Sequence, residues 1–81
     1  MADEQISDHI ERLVREEHEL LGRAEASHGL DAEGHARLEE VRVALDQCWD
    51  LLRQRRARRS AGRDPDDASL RSPETVEHYL Q

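Results

Sequence analysis

Apolar residues recur at helical spacing through the first third of the chain. Steps of 4, 3, 7 and 4 residues separate the members of this series, which are Ile6, Ile10, Leu13, Leu20 and Ala24. Such steps place the side chains on one face of an α-helix. The series stops before Gly29, and glycine is common just beyond helix C-termini. The pattern predicts helix 1 over about residues 3–28, with Asp3 as its N-cap residue.

A second apolar series follows, in steps of 3, 4, 3 and 4 residues. Its members are Leu38, Val41, Leu45, Cys48 and Leu52. Asp31 precedes the series, and aspartate is one of the preferred N-cap residues. Residues that favour helix continue as far as Ser60, and Gly62 follows. Helix 2 is therefore predicted over about residues 31–60.

The short turn between the two predicted helices favours antiparallel neighbours. One registration places Ile6 opposite Leu52 and Leu20 opposite Leu38, and the residue numbers of every opposed pair add to 58. Two unrelated amphipathic helices would not need to align in this way. The sequence therefore predicts an all-α fold, an antiparallel and coiled-coil-like helical hairpin over residues 1–61.

Further apolar residues lie one step around each helix from this seam, on the same side of the hairpin. This apolar flank consists of Val14, Leu21 and Trp49. In a lone hairpin the flank would be open to water, which is unfavourable for large apolar side chains. We therefore expect a homodimer in which two hairpins pair into a four-helix bundle with twofold symmetry.

The end of the chain contains turn-forming residues and then a short helical pattern. Residues 62–72 are rich in Asp, Ser, Gly and Pro and are predicted to form an acidic linker. Ser72 precedes Pro73, an order typical of a helix start, so a short helix is predicted over residues 73–81. With a rise of about 1.5 Å per residue, this helix is too short to cover an apolar flank of about 30 Å.

Charge is unevenly distributed along the chain. Arginine supplies all 12 basic residues, against 19 acidic residues, and the formal net charge is -7. Residues 51–63 carry +6, whereas residues 1–50 carry -9 and residues 64–81 carry -4. The basic run consists of Arg53, Arg55, Arg56, Arg58, Arg59 and Arg63. The candidate partner contacts in this run are Arg55, Arg56, Arg59 and Arg63.

Three alternatives are open for these arginines. Internal pairing is favoured first, because the hairpin brings Asp3 and Glu4 beside them, and arginine complements the dipole at a helix C-terminus. Three further carboxylates follow closely in the chain, those of Asp64, Asp66 and Asp67. An acidic protein partner is the second alternative. Nucleic acid is the third, because the net charge is acidic and no aromatic residues interleave for base stacking.

Glu17 is the one charged residue on the apolar face of helix 1. The registration places it opposite Val41 and near Arg42, with which it can form an ion pair. A single polar residue in a coiled-coil seam can instead determine register or oligomeric state. Both interpretations of Glu17 stay open.

No catalytic, cofactor or metal site is predicted. The histidines show neither an HExxH motif nor an i,i+4 pair, and structural zinc requires four converging ligands. Cys48 lies on the apolar seam, where burial raises the pKa of a thiol and leaves it unreactive. The chain also has no Gly-rich phosphate loop and no nucleophile elbow. We therefore expect that the protein is not an enzyme.

The sequence indicates a cytoplasmic protein. No apolar stretch is long enough for a signal peptide or for the roughly 20 residues of a membrane span. An acidic surface would be repelled by anionic lipid, so no membrane contact is expected. Cys48 is the only cysteine, which excludes a disulfide within the chain and suits a reducing compartment.

Three segments together resemble a known family. They are Leu45 to Ala68 (LDQCWDLLRQRRARRSAGRDPDDA), Ile10 to Leu20 (IERLVREEHEL), and the ending Pro73-Glu74-Thr75-Val76-Glu77-x-Tyr79-x-Gln81. In these segments the chain is similar to short actinobacterial proteins catalogued as domain of unknown function 2630. The resemblance implies a small cytoplasmic helical protein, with no activity, cofactor or catalytic residue to transfer.

These observations favour a non-catalytic protein-interaction or regulatory module built on a helical hairpin. Its contact candidates are the arginines of residues 55–63 and the apolar flank. The alternative is a small nucleic-acid or ribonucleoprotein accessory factor that contacts phosphates through Arg53 to Arg63.

Overall fold

A computed structural model describes residues 2–79, with only the backbone of His78 and Tyr79. The helical elements are α1 (Asp3–Ala26), α2 (Ala32–Ser60), a 3₁₀ turn (Pro65–Asp67) and α3 (Pro73–Tyr79). Throughout residues 2–79 there is no β-strand. The molecule is elongated, with extents of 50 × 25 × 15 Å.

The two long helices pack against each other as an antiparallel hairpin, which confirms the all-α prediction. Ion pairs between the helices follow the predicted registration, because Asp3 pairs with Arg55 and Glu17 pairs with Arg42. The buried apolar side chains of the seam are Ile6, Ile10, Leu13, Leu20, Leu38, Val41, Leu45, Cys48 and Leu51. Their burial supplies the hydrophobic driving force for the hairpin.

Leu51, rather than Leu52, completes the seam on α2. Leu51 is 6% exposed, whereas Leu52 is only partly buried. Leu51 lies four residues after Gln47 and three before Gln54, so the three side chains share one side of the helix. Both glutamines donate hydrogen bonds to backbone carbonyls of the C-terminal part of the chain. That part of the chain therefore covers the side of α2 on which Leu51 lies.

The turn between the helices depends on a left-handed residue. The N–H of Gly29 donates to the carbonyl of Ala24 at 2.7 Å, the bond that defines a Schellman ending. His28 has φ 58° and occupies the left-handed position that usually belongs to glycine, while Gly29 has φ 132°. Helix α1 consequently ends at Ala26, two residues before the predicted end.

The start of α2 confirms the predicted cap. The Asp31 carboxylate accepts a hydrogen bond from the N–H of Gly34 at 2.7 Å. A Cβ atom on Gly34 would lie 3.1 Å from Asp31 Oδ1 and 3.1 Å from the Leu30 side chain. The absence of a side chain at Gly34 therefore lets Leu30 and the capping carboxylate close over the first turn.

The start of α1 differs from the prediction, because Ala2 and not Asp3 is the N-cap residue. The Gln5 side chain accepts a hydrogen bond from the N–H of Ala2 at 2.9 Å and so satisfies one exposed donor. Asp3 is thereby the first helical residue, and its carboxylate is directed at arginines of α2.

Residues 61–79, called the returning segment below, fold back along α2. The 3₁₀ turn and α3 both pack on α2, so the predicted linker runs along this helix. At the start of α3, Ser72 Oγ accepts a hydrogen bond from the N–H of Thr75, and Val76 is 2% exposed. The predicted helix over residues 73–81 is described as far as Tyr79, and Leu80 and Gln81 lie outside the described residues.

Candidate interaction surface

The arginines near the end of α2 divide into two groups by their surroundings. Arg55 and Arg59 form ion pairs within the chain. In the described part of the chain no salt bridge involves the other four, which are Arg53, Arg56, Arg58 and Arg63. We call these four the arginine surface. The preferred alternative of internal pairing thus applies to only part of the basic run.

Arg55 joins three separate parts of the chain. Its side chain is 7% exposed, and its Nε donates to Asp3 at the start of α1. Its Nη1 donates to the carbonyl of Pro65 at 3.1 Å and to Asp66 Oδ1 at 3.0 Å. A buried guanidinium is tolerated when its donors are satisfied in this way. Arg55 was a predicted partner contact, but burial and these bonds make it a structural residue.

Asp3 receives a second arginine. Nη1 of Arg59 donates to Asp3 Oδ2 at 2.9 Å, on the solvent side of Arg55. The hydrogen bond from Arg55 lowers the pKa of the Asp3 carboxyl, and the charge of Arg59 adds to this effect. The same hydrogen bond raises the pKa of Arg55. Arg59, also a predicted partner contact, is therefore engaged with Asp3.

A buried acidic residue fixes the returning segment beside the arginine surface. Asp50 is 5% exposed, accepts a hydrogen bond from Gln54 Nε2 at 2.9 Å, and lies 3.5 Å from Nε of Arg71. Gln47 and Gln54 donate to the carbonyls of Arg71 and Ser69 at 3.0 Å and 2.8 Å. Sequence reasoning missed Asp50 and Arg71. The signal in the sequence was Leu51, an apolar residue outside the predicted seam. Its position indicates that another part of the chain covers this side of α2.

Two shallow depressions lie between α2 and the returning segment. The Ser60 depression has a volume of about 450 Å³ and is lined by Asp50, Arg53, Gln54, Arg56, Ala57, Ser60 and Arg71. The Ala61 depression has a volume of about 270 Å³ and is lined by Gln54, Ala57, Arg58, Ala61, Arg63 and Arg71. All four residues of the arginine surface thus line a depression, together with Arg71.

A depression at the opposite end of the hairpin has a different charge balance. Its volume is about 500 Å³, and four arginines and four acidic residues line it. The arginines are Arg12, Arg15, Arg23 and Arg37, and the acidic residues are Glu16, Glu19, Asp31 and Glu33. Arg37 Nη2 also donates to Glu16 Oε1 at 2.8 Å. Positive charge is therefore balanced at this end and unbalanced at the arginine surface.

The apolar flank lies on the side of the hairpin away from the returning segment. Two residues along a helix rotate a side chain by about 200°, so Trp49 is directed away from Gln47. Trp49 is 49% exposed and Leu21 is 37% exposed, whereas Val14 is partly buried against the seam.

Arg42 Nε donates to Glu17 Oε2 at 3.2 Å, as the first interpretation of Glu17 anticipated.

Helix α3 brings two carboxyl groups together. Glu77 lies against Asp46 of α2, and Glu39 is also near. Burial raises the pKa of the Glu77 carboxyl, and the contact with Asp46 raises it further. Among the described residues, the Oε1 atom of Glu77 is buried without a hydrogen-bond partner.

Residues of the metal-ligating types and the single thiol also lie in the described part of the chain. Among the side chains that the structure describes, no three His, Cys, Asp or Glu residues are grouped so that they could hold a metal ion. Burial raises the pKa of the Cys48 thiol, which keeps it protonated near neutral pH. Neither long helix carries a sustained apolar stretch that could cross a bilayer, as far as the described chain extends.

Residues 2–81 match the family described as Protein of unknown function (DUF2630). The chain belongs to this family. Similar relatives include Uncharacterized protein Mb0922c of Mycobacterium bovis and Uncharacterized protein Rv0898c of Mycobacterium tuberculosis. Each is 46% identical over 79 residues, which cover 95% of this chain and 88% of the relative. No solved structure matches the chain significantly. The resemblance to domain of unknown function 2630 is thus confirmed for nearly the whole chain.

Proposed function

We propose that this DUF2630 protein is a non-catalytic module that binds another protein through the arginine surface. The observation that supports the proposal is the division of the basic run. Arg55 and Arg59 form salt bridges with carboxylates, while none of the four arginines of the arginine surface forms a salt bridge among the described residues; the charge of Arg56 acts on Asp3 from a longer distance. Arginine is suited to planar, bidentate recognition of anionic groups. The exposed Arg53, Arg56 and Arg63, with the half-buried Arg58, therefore fit an acidic partner.

Nucleic acid is the weaker candidate for the same surface. Affinity for nucleic acid depends on the electrostatic field of the whole protein, and this chain has a formal net charge of -7. Among the described side chains, no aromatic residue lines either depression to stack on a base. An acidic protein segment needs neither a net basic molecule nor a stacking platform.

We also propose that the module is a homodimer in the cytoplasm, paired through the apolar flank. A twofold axis parallel to the hairpin would set α1 of each protomer against α2 of its partner. This geometry is electrostatically favourable, because α1 carries a formal charge of -5 and α2 a formal charge of +2. Trp49 would supply the large aromatic contact that is common in interfaces.

Sedimentation velocity tests the dimer. The wild-type protein is expected to sediment as a dimer, with Trp49 fluorescence that shifts to the red on dilution. Leu21→Glu places a charge in the apolar flank and is expected to give a monomer. A wild-type protein that is monomeric at high concentration, with red-shifted fluorescence throughout, would refute the dimer and leave the role of the arginine surface unaffected.

Capture of partners from cytoplasmic extract tests the main proposal. The tagged full chain is compared with Arg53→Glu/Arg58→Glu, and with Arg12→Glu/Arg15→Glu as the matched control from the charge-balanced end. We expect one or more proteins that bind the wild type and the control and are lost with the first variant. Equal capture by all three chains would contradict the proposal, and so would ribonuclease-sensitive capture.

A further inference from the structure

The two depressions of the arginine surface adjoin each other, and together they are called the groove below. Gln54, Ala57 and Arg71 line both of them. Ala57 is the smallest residue that the two depressions share, and arginines line both of them. Asp50 holds Arg71 in place from below, since Asp50 is buried and contacts Nε of Arg71 at 3.5 Å.

The positive charge of this groove is larger than the negative charge that one or two carboxylates would bring. Among the described residues, five arginines and one aspartate line it, a formal balance of +4. Each depression is lined by three of these arginines, with Arg71 common to both. A carboxylate brings one negative charge, whereas a phosphate monoester brings about -1.5 to -2 at neutral pH and three acceptor oxygens. Two phosphate monoesters would therefore match the charge of the groove.

We infer that the groove between α2 and residues 69–71 binds a phosphorylated segment of the partner protein, with a phosphate monoester in each depression. This inference rests on the proposed function, which requires only an acidic partner, and adds the chemical nature of the ligand. Arg53 and Arg56 bind the phosphate in the Ser60 depression, and Arg58 and Arg63 bind the phosphate in the Ala61 depression. Arg71 lies between them and contributes to both.

The shape of the groove argues for a segment of protein rather than a small metabolite. Both depressions are shallow and open to solvent, whereas small-molecule sites bury most of their ligand. An extended peptide gains additional contacts beyond its phosphates along such a surface. Nucleic acid carries one negative charge per phosphate. Its affinity for a protein depends on the electrostatic field of the whole protein, and the net charge of this chain is negative.

Fluorescence anisotropy with defined probes tests the inference. The main probe is a labelled, extended Gly/Ser peptide with two phosphoserines. The comparison probes are the same peptide with two glutamates, the peptide without phosphate, and a short single-stranded RNA. The wild-type full chain is expected to bind the phosphopeptide about tenfold or more tightly than the glutamate peptide, because charge-assisted arginine–phosphate bonds are strong.

Variants assign the binding to the groove. Arg53→Gln/Arg58→Gln removes one arginine from each depression and is expected to weaken phosphopeptide binding about tenfold or more. Arg12→Gln/Arg15→Gln serves as the matched control and is expected to change binding less than about twofold. Circular dichroism of both double variants verifies that they fold.

The binding measurements separate failure of the inference from failure of the proposed function. Equal affinity for the phosphorylated and glutamate peptides would overturn the inference. It would leave the proposed function standing if the arginine surface still determines capture from extract. Tighter binding of RNA than of the phosphopeptide would also overturn the inference, and so would equal binding by Arg53→Gln/Arg58→Gln and the wild type.

Discussion

Asp3 accepts a hydrogen bond from Arg55 across 52 positions of the sequence, which ties the first turn of α1 to the last third of α2. Arg55 is also bonded to Asp66 in the returning segment. One guanidinium therefore joins three parts of the chain at the open end of the hairpin. This end has no covalent connection between α1 and α2, so ionic contacts there limit fraying.

Replacing Asp3 with Asn tests the contribution of this carboxylate to stability. Asp3 has a lowered pKa, so its contribution is present above the unfolded-state value near 3.8 and is lost as the pH falls through the folded-state value. Asp3→Asn is expected to lower Tm at neutral pH and to lessen the loss of Tm in acid. Glu4→Gln, an exposed change in the same turn, is the control and should leave the pH profile unchanged. A neutral-pH Tm for Asp3→Asn equal to that of wild type would contradict this role.

The docking of α3 on α2 is expected to weaken as the pH rises, whereas the contribution of Asp3 to stability is lost as the pH falls. Glu77 has a raised pKa, so docking is strongest below the ordinary glutamate value of 4.5 and weakens as the pH rises through the folded-state value. The groups facing Glu77 from α2 are the acidic side chains Asp46 and Glu39, and both oppose its ionisation. Amide hydrogen exchange of α3 should therefore become faster, relative to its intrinsic rate, as the pH rises.

Glu77→Gln removes the titrating group and should make the protection of α3 amides nearly independent of pH. Glu74→Gln changes an exposed residue of the same helix and should keep the wild-type dependence. If Glu77→Gln retains the full pH dependence, another group controls the docking of α3.

Replacing Glu17 with Leu tests whether this residue serves stability or register. Its bond to Arg42 joins two partly exposed side chains, and such pairs contribute little. Leu at this position would extend the apolar seam, and we expect the free energy of unfolding to rise by about 1 kcal/mol. Sedimentation velocity should show a broader distribution of oligomers if Glu17 also specifies register. A lower free energy of unfolding in a denaturant titration would exclude this account.

The left-handed position in the turn predicts a stabilising substitution. A non-glycine residue in this conformation is strained by about 1–2 kcal/mol. His28→Gly is therefore expected to raise the free energy of unfolding by about 1 kcal/mol, less the entropy that glycine adds to the unfolded chain. Gly29→Ala should be destabilising, because Gly29 has φ 132°. The idea fails if thermal unfolding shows His28→Gly to be less stable than the wild type.

The hairpin could be predicted because its information is periodic and local. Regular spacing placed Ile10 and Cys48 on facing stripes, and the short turn restricted their relative direction. Asp31 was recognisable as a cap by residue type alone. The displacement of the cap from Asp3 to Ala2 was not recognisable, because it depends on Asp3 being drawn to arginines far along the chain.

The returning segment could not be placed from sequence because it has almost no apolar pattern of its own. It is held by Gln47 and Gln54, which donate to backbone carbonyls that any sequence would offer.

The division of the arginines into paired and unpaired groups also could not be predicted from sequence. Adjacent residues such as Arg55 and Arg56 differ only in the direction of the side chain, and the contacts of that side chain follow from packing.

We propose that arginines of one helical run have separate roles, with Arg55 maintaining the fold and Arg58 available to a partner. Denaturant unfolding of Arg55→Gln and Arg58→Gln, measured side by side at neutral pH, tests this most directly. Arg55→Gln is expected to unfold at a clearly lower denaturant midpoint than wild type. Arg58→Gln is expected to stay within about 0.5 kcal/mol of wild type. Equal destabilisation by the two substitutions, or none by Arg55→Gln, would contradict the account.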